Sequence, residues 1–268
     1  MDNNVLIAFV ITLIAGLSTS IGSLISFFVK DYKGRFLPIS LGFSAGVMIY
    51  VGLVELYQDS SVILTNAYGE KLGSIFTLFS FFLGIVLIFF IDKLVPDVEN
   101  PHSMLDKSDE KQLSKNYKKN FFRIGILTAI AITVHNFPEG IATFASSLNN
   151  LKLGIGIAIA IAIHNIPEGI AVSVPIYVAT KSRKKALLYS SLSGFTEFIG
   201  ALFAYIVLGK YLNSEFLAVI YSMVAGIMVY ISLDELLPAS KKYGKHHDSI
   251  IGIVLGMMVM GISLIIIN

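Results

Sequence analysis

Apolar residues in this chain gather in long runs, without the short period of a surface helix or strand. Eight of these runs are long enough to cross a bilayer, at approximately residues 5–29, 36–57, 73–93, 122–147, 153–178, 186–208, 216–238 and 249–267. A crossing takes about 20 mostly apolar residues, because a helix rises ~1.5 Å per residue through roughly 30 Å of hydrocarbon. The predicted fold is all-α and polytopic, with eight transmembrane helices in one integral membrane domain over residues 1–268.

Composition agrees with this. Hydrophobic residues make up 55% and charged residues 14% of the sequence, where a soluble domain carries about 25% charged. The mean hydropathy is +0.76. The absence of cysteine excludes disulfides and thiolate metal sites. No basic run is long enough to suggest a nucleic-acid partner. The opening "MDNN" lacks a positive n-region, so the run after it reads as a retained helix.

The charges that remain are unevenly placed. Lys30, Lys33 and Arg35 follow the first run; Lys93, Lys107, Lys111, Lys115, Lys118, Lys119 and Arg123 lie in or beside the third connection. Lys181, Arg183, Lys184 and Lys185 fill the fifth connection, and Lys241, Lys242 and Lys245 the seventh. That puts 17 of the 20 basic residues on one side, which sets that side in the cytoplasm and both termini outside. The polar connection at 94–121 is expected to be a cytoplasmic loop between the third and fourth helices.

Two internal repeats appear. "AITVHNFPEGIA" (131–142) matches "AIAIHNIPEGIA" (160–171) in the fourth and fifth helices, and "AGVMIYVGLVEL" (45–56) matches "AGIMVYISLDEL" (225–236) in the second and seventh. Members of each pair run in opposite directions. Inverted repeats are characteristic of transporters with a substrate site near the midplane.

The first repeat carries the chemistry. Residues four apart share a helix face, so His135 stacks with Glu139 and His164 with Glu168. An imidazole and a carboxylate one turn apart make half a site for a divalent transition metal. Pro138 and Pro167 free the carbonyls of Val134 and Ile163 from their helical bonds. Gly140 and Gly169 allow close helix approach. Glu197, Glu55, Glu235 and Asp234 are further carboxylates in or near the spans. An ionised side chain at mid-membrane costs roughly 2.5–3.5 kcal/mol. No Lys or Arg lies at matching depth, so cations or protons must neutralise these groups.

Blander readings weigh against some of these residues. A single intramembrane histidine usually serves a helix-to-helix hydrogen bond, but two matching hexapeptides argue for a site. Met48 and Met228 read first as packing, Asp59 as surface, and His246-His247-Asp248 as a solvated turn. Glu55 and Glu235 stand near helix ends, where water reaches. An intramembrane metalloprotease would need His-Glu-x-x-His, which is absent, so the chain is expected not to be an enzyme, with no catalytic residues.

The paired hexapeptides resemble the signature of the ZIP family of metal transporters, within it the bacterial ZupT-like branch. The likeness covers essentially the whole chain. It implies a 3+2+3 arrangement, helices one to three being related to six to eight around a central pair. It implies a binuclear site, with His135, Glu139 and Glu168 on one metal. Asn136, Asn165, Glu168 and Glu197 hold the second, and Glu168 bridges. Met48 matches a methionine that joins the first site in some members. Some members carry Gln-Asp where this chain has His164 and Asn165, so His164 adds a ligand. Glu55 and Glu235 resemble carboxylates associated with a further metal position near His164.

The expected activity is import of Zn²⁺ through the cytoplasmic membrane, with Fe²⁺, Mn²⁺, Co²⁺ and Cd²⁺ as further cargo. These metals are cargo, and no cofactor is expected. Protonation of the histidines or glutamates is expected to aid release. Resemblance implies that helices one, four, five and six move as a unit. An exporter or channel using the same residues, or a membrane metal sensor, is the alternative. The expected partners are the lipid bilayer and metal ions; Ala15, Gly16 and Gly22 suit helix contacts in a homodimer and internal packing equally well.

Overall fold

The computed structural model describes residues 3–28, 35–94, 110–209, 213–243 and 247–267. The described residues are almost entirely helical: α1 (Asn3–Ser26), α2 (Phe36–Tyr50), α3 (Tyr57–Tyr68), α4 (Glu70–Leu94), α5 (Glu110–Asn149), α6 (Leu151–Thr180), α7 (Arg183–Phe203), α8 (Ser214–Ile231), α9 (Leu237–Tyr243) and α10 (Asp248–Ile267). Short π-helical segments, Val51–Leu56 and Ser232–Leu236, join α2 to α3 and α8 to α9; a third, Ala204–Leu208, extends α7.

Seven of these helical stretches are long and apolar enough to cross a membrane. The remaining predicted span lies within α5, a 40-residue helix whose first half is charged. Two boundaries differ from the sequence reading. The second span was expected to end at 57, but helix continues to Tyr68 and turns on Gly69, whose φ of 82° suits glycine. The expected loop at 94–121 becomes helix from Glu110. Its Glu, Lys and Gln residues are good helix formers, and their charge hides the helix from a hydropathy reading. Residues 95–109 lie outside the described set.

The helices pack as two groups. α1, α5, α6 and α7 contact one another extensively, and α2, α3, α4, α8, α9 and α10 form the second group. α5 and α6 are an antiparallel hairpin joined by Asn150 alone, whose side chain accepts from the amides of Lys152 and Leu153. That single-residue turn brings the two hexapeptides to the same depth.

Glycines set the close approaches, and they repeat. A Cβ on Gly140 would overlap the Glu197 backbone, and one on Gly169 the Thr19 backbone. A Cβ on Gly200 would strike the Phe137 carbonyl, and one on Gly22 the Ile166 carbonyl. Phe137 and Ile166 occupy matching places in the two hexapeptides. Gly16 and Gly194 likewise meet backbone to backbone. α1 and α7 are thus related by the same pseudo-twofold axis that relates α5 to α6. In α2 and α8, Gly46 abuts Ile253 of α10 as Gly226 abuts Phe81 of α4, which extends the relation to both outer pairs. Of the two readings of Ala15, Gly16 and Gly22, dimer contact or internal packing, the structure has internal packing: Ala15 is buried, and both glycines lie against neighbouring helices.

Candidate metal site

Seven polar side chains from three helices stand together in the core: His135, Asn136 and Glu139 on α5, His164, Asn165 and Glu168 on α6, and Glu197 on α7. Each is at most 1% exposed. Helical spacing places each histidine one turn before its glutamate, as the sequence predicts. The hairpin then pairs them crosswise. His135 Nε2 is 3.1 Å from Glu168 Oε1, and His164 Nε2 is 3.5 Å from Glu139 Oε2.

The His164 ring is fixed by its other nitrogen. Nδ1 lies 3.2 Å from the Ala160 carbonyl, to which it donates. In the neutral ring, Nε2 then carries a lone pair, 3.5 Å from a carboxylate oxygen. Two such lone pairs stand side by side only with a proton or a metal cation between them.

Both asparagines are anchored through their amide nitrogens. Asn136 Nδ2 donates to the Ser193 carbonyl at 3.2 Å, and Asn165 Nδ2 to the Ala15 carbonyl at 3.1 Å and to Glu197 Oε1. These bonds leave the side-chain oxygens as acceptors. Buried atoms without a hydrogen-bond partner include His135 Nδ1, Asn136 Oδ1, both Glu139 oxygens, His164 Nε2, Asn165 Oδ1, Glu168 Oε2 and Glu197 Oε2. All can present an electron pair. Burying several such atoms unpaired is costly, and a bare cation answers that cost. The nitrogen and oxygen set, free of thiolate, suits Zn²⁺ and its first-row neighbours. Among the described residues, no three His, Asp or Glu side chains already stand as a complete metal cluster; the pairs hold one another instead.

The other predicted residues are not among these seven, although Glu235 lies near enough to act electrostatically on His135. Met48 is fully buried in the main apolar cluster, one turn beyond Ser44, whose hydroxyl donates to the His164 carbonyl at 3.3 Å. Glu55 and Glu235 are half-buried on the two symmetry-related π segments. Glu55 lines a cavity of about 330 Å³ with Asp59, Asn150 and Lys152, at the end of the molecule where α5 turns into α6. Asp59, expected at the surface, is one wall of that cavity. Asp248, expected in a solvated turn, opens α10 and is 2% exposed, with Arg35 Nε 2.6 Å from its Oδ1. A helix N-terminus favours a carboxylate there. His246 lies outside the described residues, and His247 is exposed.

Sequence reasoning missed the supports. Ser44 and the Ser193 and Ala15 carbonyls belong to helices adjacent to the hexapeptides only in the fold, while the Ala160 carbonyl lies one turn before His164 in α6. One signal was present: "GLSTSIG" (16–22) and "GFTEFIG" (194–200) share their glycines and isoleucine, and the structure superposes them across the axis.

The ZIP Zinc transporter family model matches residues 97–264. The zinc transporter ZupT of Chlorobium chlorochromatii is 52% identical over 266 residues, covering 99% of each chain. That of Clostridium perfringens is 52% identical, covering 98% of this chain and 97% of its own. That of Streptococcus mutans is 53% identical over 266 residues, again with 99% of each covered.

Proposed function

Since the chain belongs to the ZIP zinc transporter family, we propose that it imports divalent transition metal, Zn²⁺ first, through the buried site on α5, α6 and α7. The observation that carries this reading is the His164 nitrogen facing a Glu139 oxygen at 3.5 Å with no hydrogen bond between them. Entering metal separates the crossed pairs and takes both partners. His135, Glu139 and Glu168 hold one ion; Asn136, Asn165, Glu168 and Glu197 hold the second, with Glu168 shared and His164 as an added nitrogen donor. Met48 joins the first ion, and Glu55 and Glu235 are associated with a further position near His164. Fe²⁺, Mn²⁺, Co²⁺ and Cd²⁺ accept the same donors and are carried as well.

Orientation follows the basic residues, with both termini outside and the cytoplasmic membrane as the site of action. The grouping of α1, α5, α6 and α7 around the site, which meets the second group along α2 on α6 and α8 on α5, supports movement of one group against the other. In the membrane, this movement carries the metal from one face to the other.

The test is flux into liposomes that enclose a metal-sensitive dye. Zn²⁺ added outside should enter with the wild type, and entry should fall at least about 100-fold for Glu139→Ala with Glu168→Ala, because loss of even a supporting partner weakens metal sites 10–100-fold. Equal entry by both proteins would refute the site. Binding without entry would favour the sensor reading.

A further inference from the structure

Three ligand helices are accounted for, and the pseudo-twofold axis calls for a fourth. The axis relates α5 to α6 and α7 to α1. Glu197 on α7 therefore has a counterpart on α1, and that residue is Thr19.

The equivalence is visible in the packing. A Cβ built on Gly16 would lie 3.2 Å from Glu197 Cβ, and one built on Gly194 would lie 2.9 Å from Thr19 Cβ. The two side chains leave their helices into equivalent space. The Glu197 backbone lies against Gly140, and the Thr19 backbone against Gly169. The anchoring bonds repeat as well: Asn165 reaches Ala15, four residues before Thr19, as Asn136 reaches Ser193, four before Glu197.

The halves differ at the next atom. Asn165 also donates to Glu197. On the opposite side Asn136 Oδ1 and Thr19 Oγ1 are both buried without a hydrogen-bond partner, and Thr19 is 0% exposed. Thr12, Thr77, Thr143 and Thr180 all return their hydroxyls to the carbonyl four residues earlier in their own helices. Thr19 does not. A buried hydroxyl that forgoes the bond within its own reach is costly unless something else uses it.

We infer that Thr19 is the α1 member of the metal site, a neutral oxygen donor on the Asn136 side where Glu197 supplies a charged one on the Asn165 side. The inference rests on the proposed metal site. It makes the site lopsided in charge along the axis: one carboxylate where full symmetry would give two. A carrier gains from this, since a site with fewer fixed charges releases its cation more readily.

The experiment uses the full-length protein in detergent and reads Zn²⁺ affinity and stoichiometry by titration calorimetry, with thermal unfolding as a check on fold. The variants are Thr19→Ala, Thr19→Ser, Glu197→Thr, and the exchange of Thr19→Glu with Glu197→Thr. Thr19→Ala should bind Zn²⁺ about tenfold more weakly, the lower range for loss of one outer contact to a metal site. Thr19→Ser should restore most of that loss. Glu197→Thr should bind fewer ions, and the exchange should recover them by moving the carboxylate across the axis. Wild-type binding by Thr19→Ala, or an exchange variant that folds yet binds no better than Glu197→Thr, would overturn the role of Thr19. Wild-type binding by Glu197→Thr would instead overturn the binuclear reading beneath it. If the exchange variant does not fold, the Ala and Ser pair decides.

Discussion

The second hexapeptide lies against α2, where the Ser44 hydroxyl meets the His164 carbonyl at 3.3 Å. The first lies beside α8 and α4 across a cavity of about 530 Å³, lined by Val134, Phe137, Pro138 and Ile141 on one wall and Ile220 and Val224 on another. The peptides are nearly the same and so are the helices they face, because α2 and α8 are also repeats. What differs is the pair at the seam. Ser44 corresponds to Val224, and a valine has no hydroxyl to offer the His135 carbonyl. One seam is therefore hydrogen-bonded and closed, and the other is apolar and loose. A single buried hydrogen bond contributes about 0.5–1.5 kcal/mol, so an asymmetry of this size is reversible, as exchange between two states requires.

The largest effect should come from the two carboxylates that the hexapeptides share. Glu168→Ala should reduce Zn²⁺ flux more than Glu139→Ala, by about tenfold or more, because Glu168 bridges both proposed positions while Glu139 serves one. Equal losses measured in liposomes would mean that the two peptides are equivalent after all.

Next come the glycines that hold the peptides to their neighbours. A Leu at either Gly140 or Gly169 would drive a side chain into backbone. Each substitution should lower stability by at least about 1–3 kcal/mol, seen as loss of monodisperse protein or a drop in Tm. Survival of both at wild-type Tm would show that the approach is less tight than described.

The loose seam can be filled. Val224→Phe should occupy the cavity, leave Zn²⁺ affinity unchanged and slow transport about threefold or more, if the two helix groups must shift there (each 1.4 kcal/mol on a barrier is about tenfold). Unchanged flux would place the motion elsewhere. Smallest of all, Ser44→Ala should cost about 1 kcal/mol and lower Tm by roughly 2–4 °C, with any flux change confined to rate.

Much of this was legible beforehand. The spans, their inverted pairing and the His-Glu spacing of both hexapeptides follow from local pattern; seven described stretches are long and apolar enough to cross a membrane, and the eighth predicted span lies within α5. Glu110–Asn120 escaped because charge conceals a helix from a hydropathy reading, and Asp248 because its partner Arg35 is 213 residues away. Ser44, Ser193 and Ala15 escaped for the same reason as Arg35, each being far along the chain from the residue it supports. Ser193, Ala15 and Ala160 act through main-chain carbonyls, which carry no signature of residue type.

Sequence by itself determined where the apolar spans lie and which faces carry imidazole, carboxylate and amide. Both properties arise within a few turns of one chain segment, where spacing and side-chain chemistry act directly. Tertiary structure alone decided that His135 pairs with Glu168 and His164 with Glu139, rather than each with its own neighbour four residues on. It also decided that Thr19 mirrors Glu197, and that one seam closes while the other stays open. Those outcomes depend on how closely glycine lets two backbones approach and on which helix lies opposite, and neither is a property of any one segment.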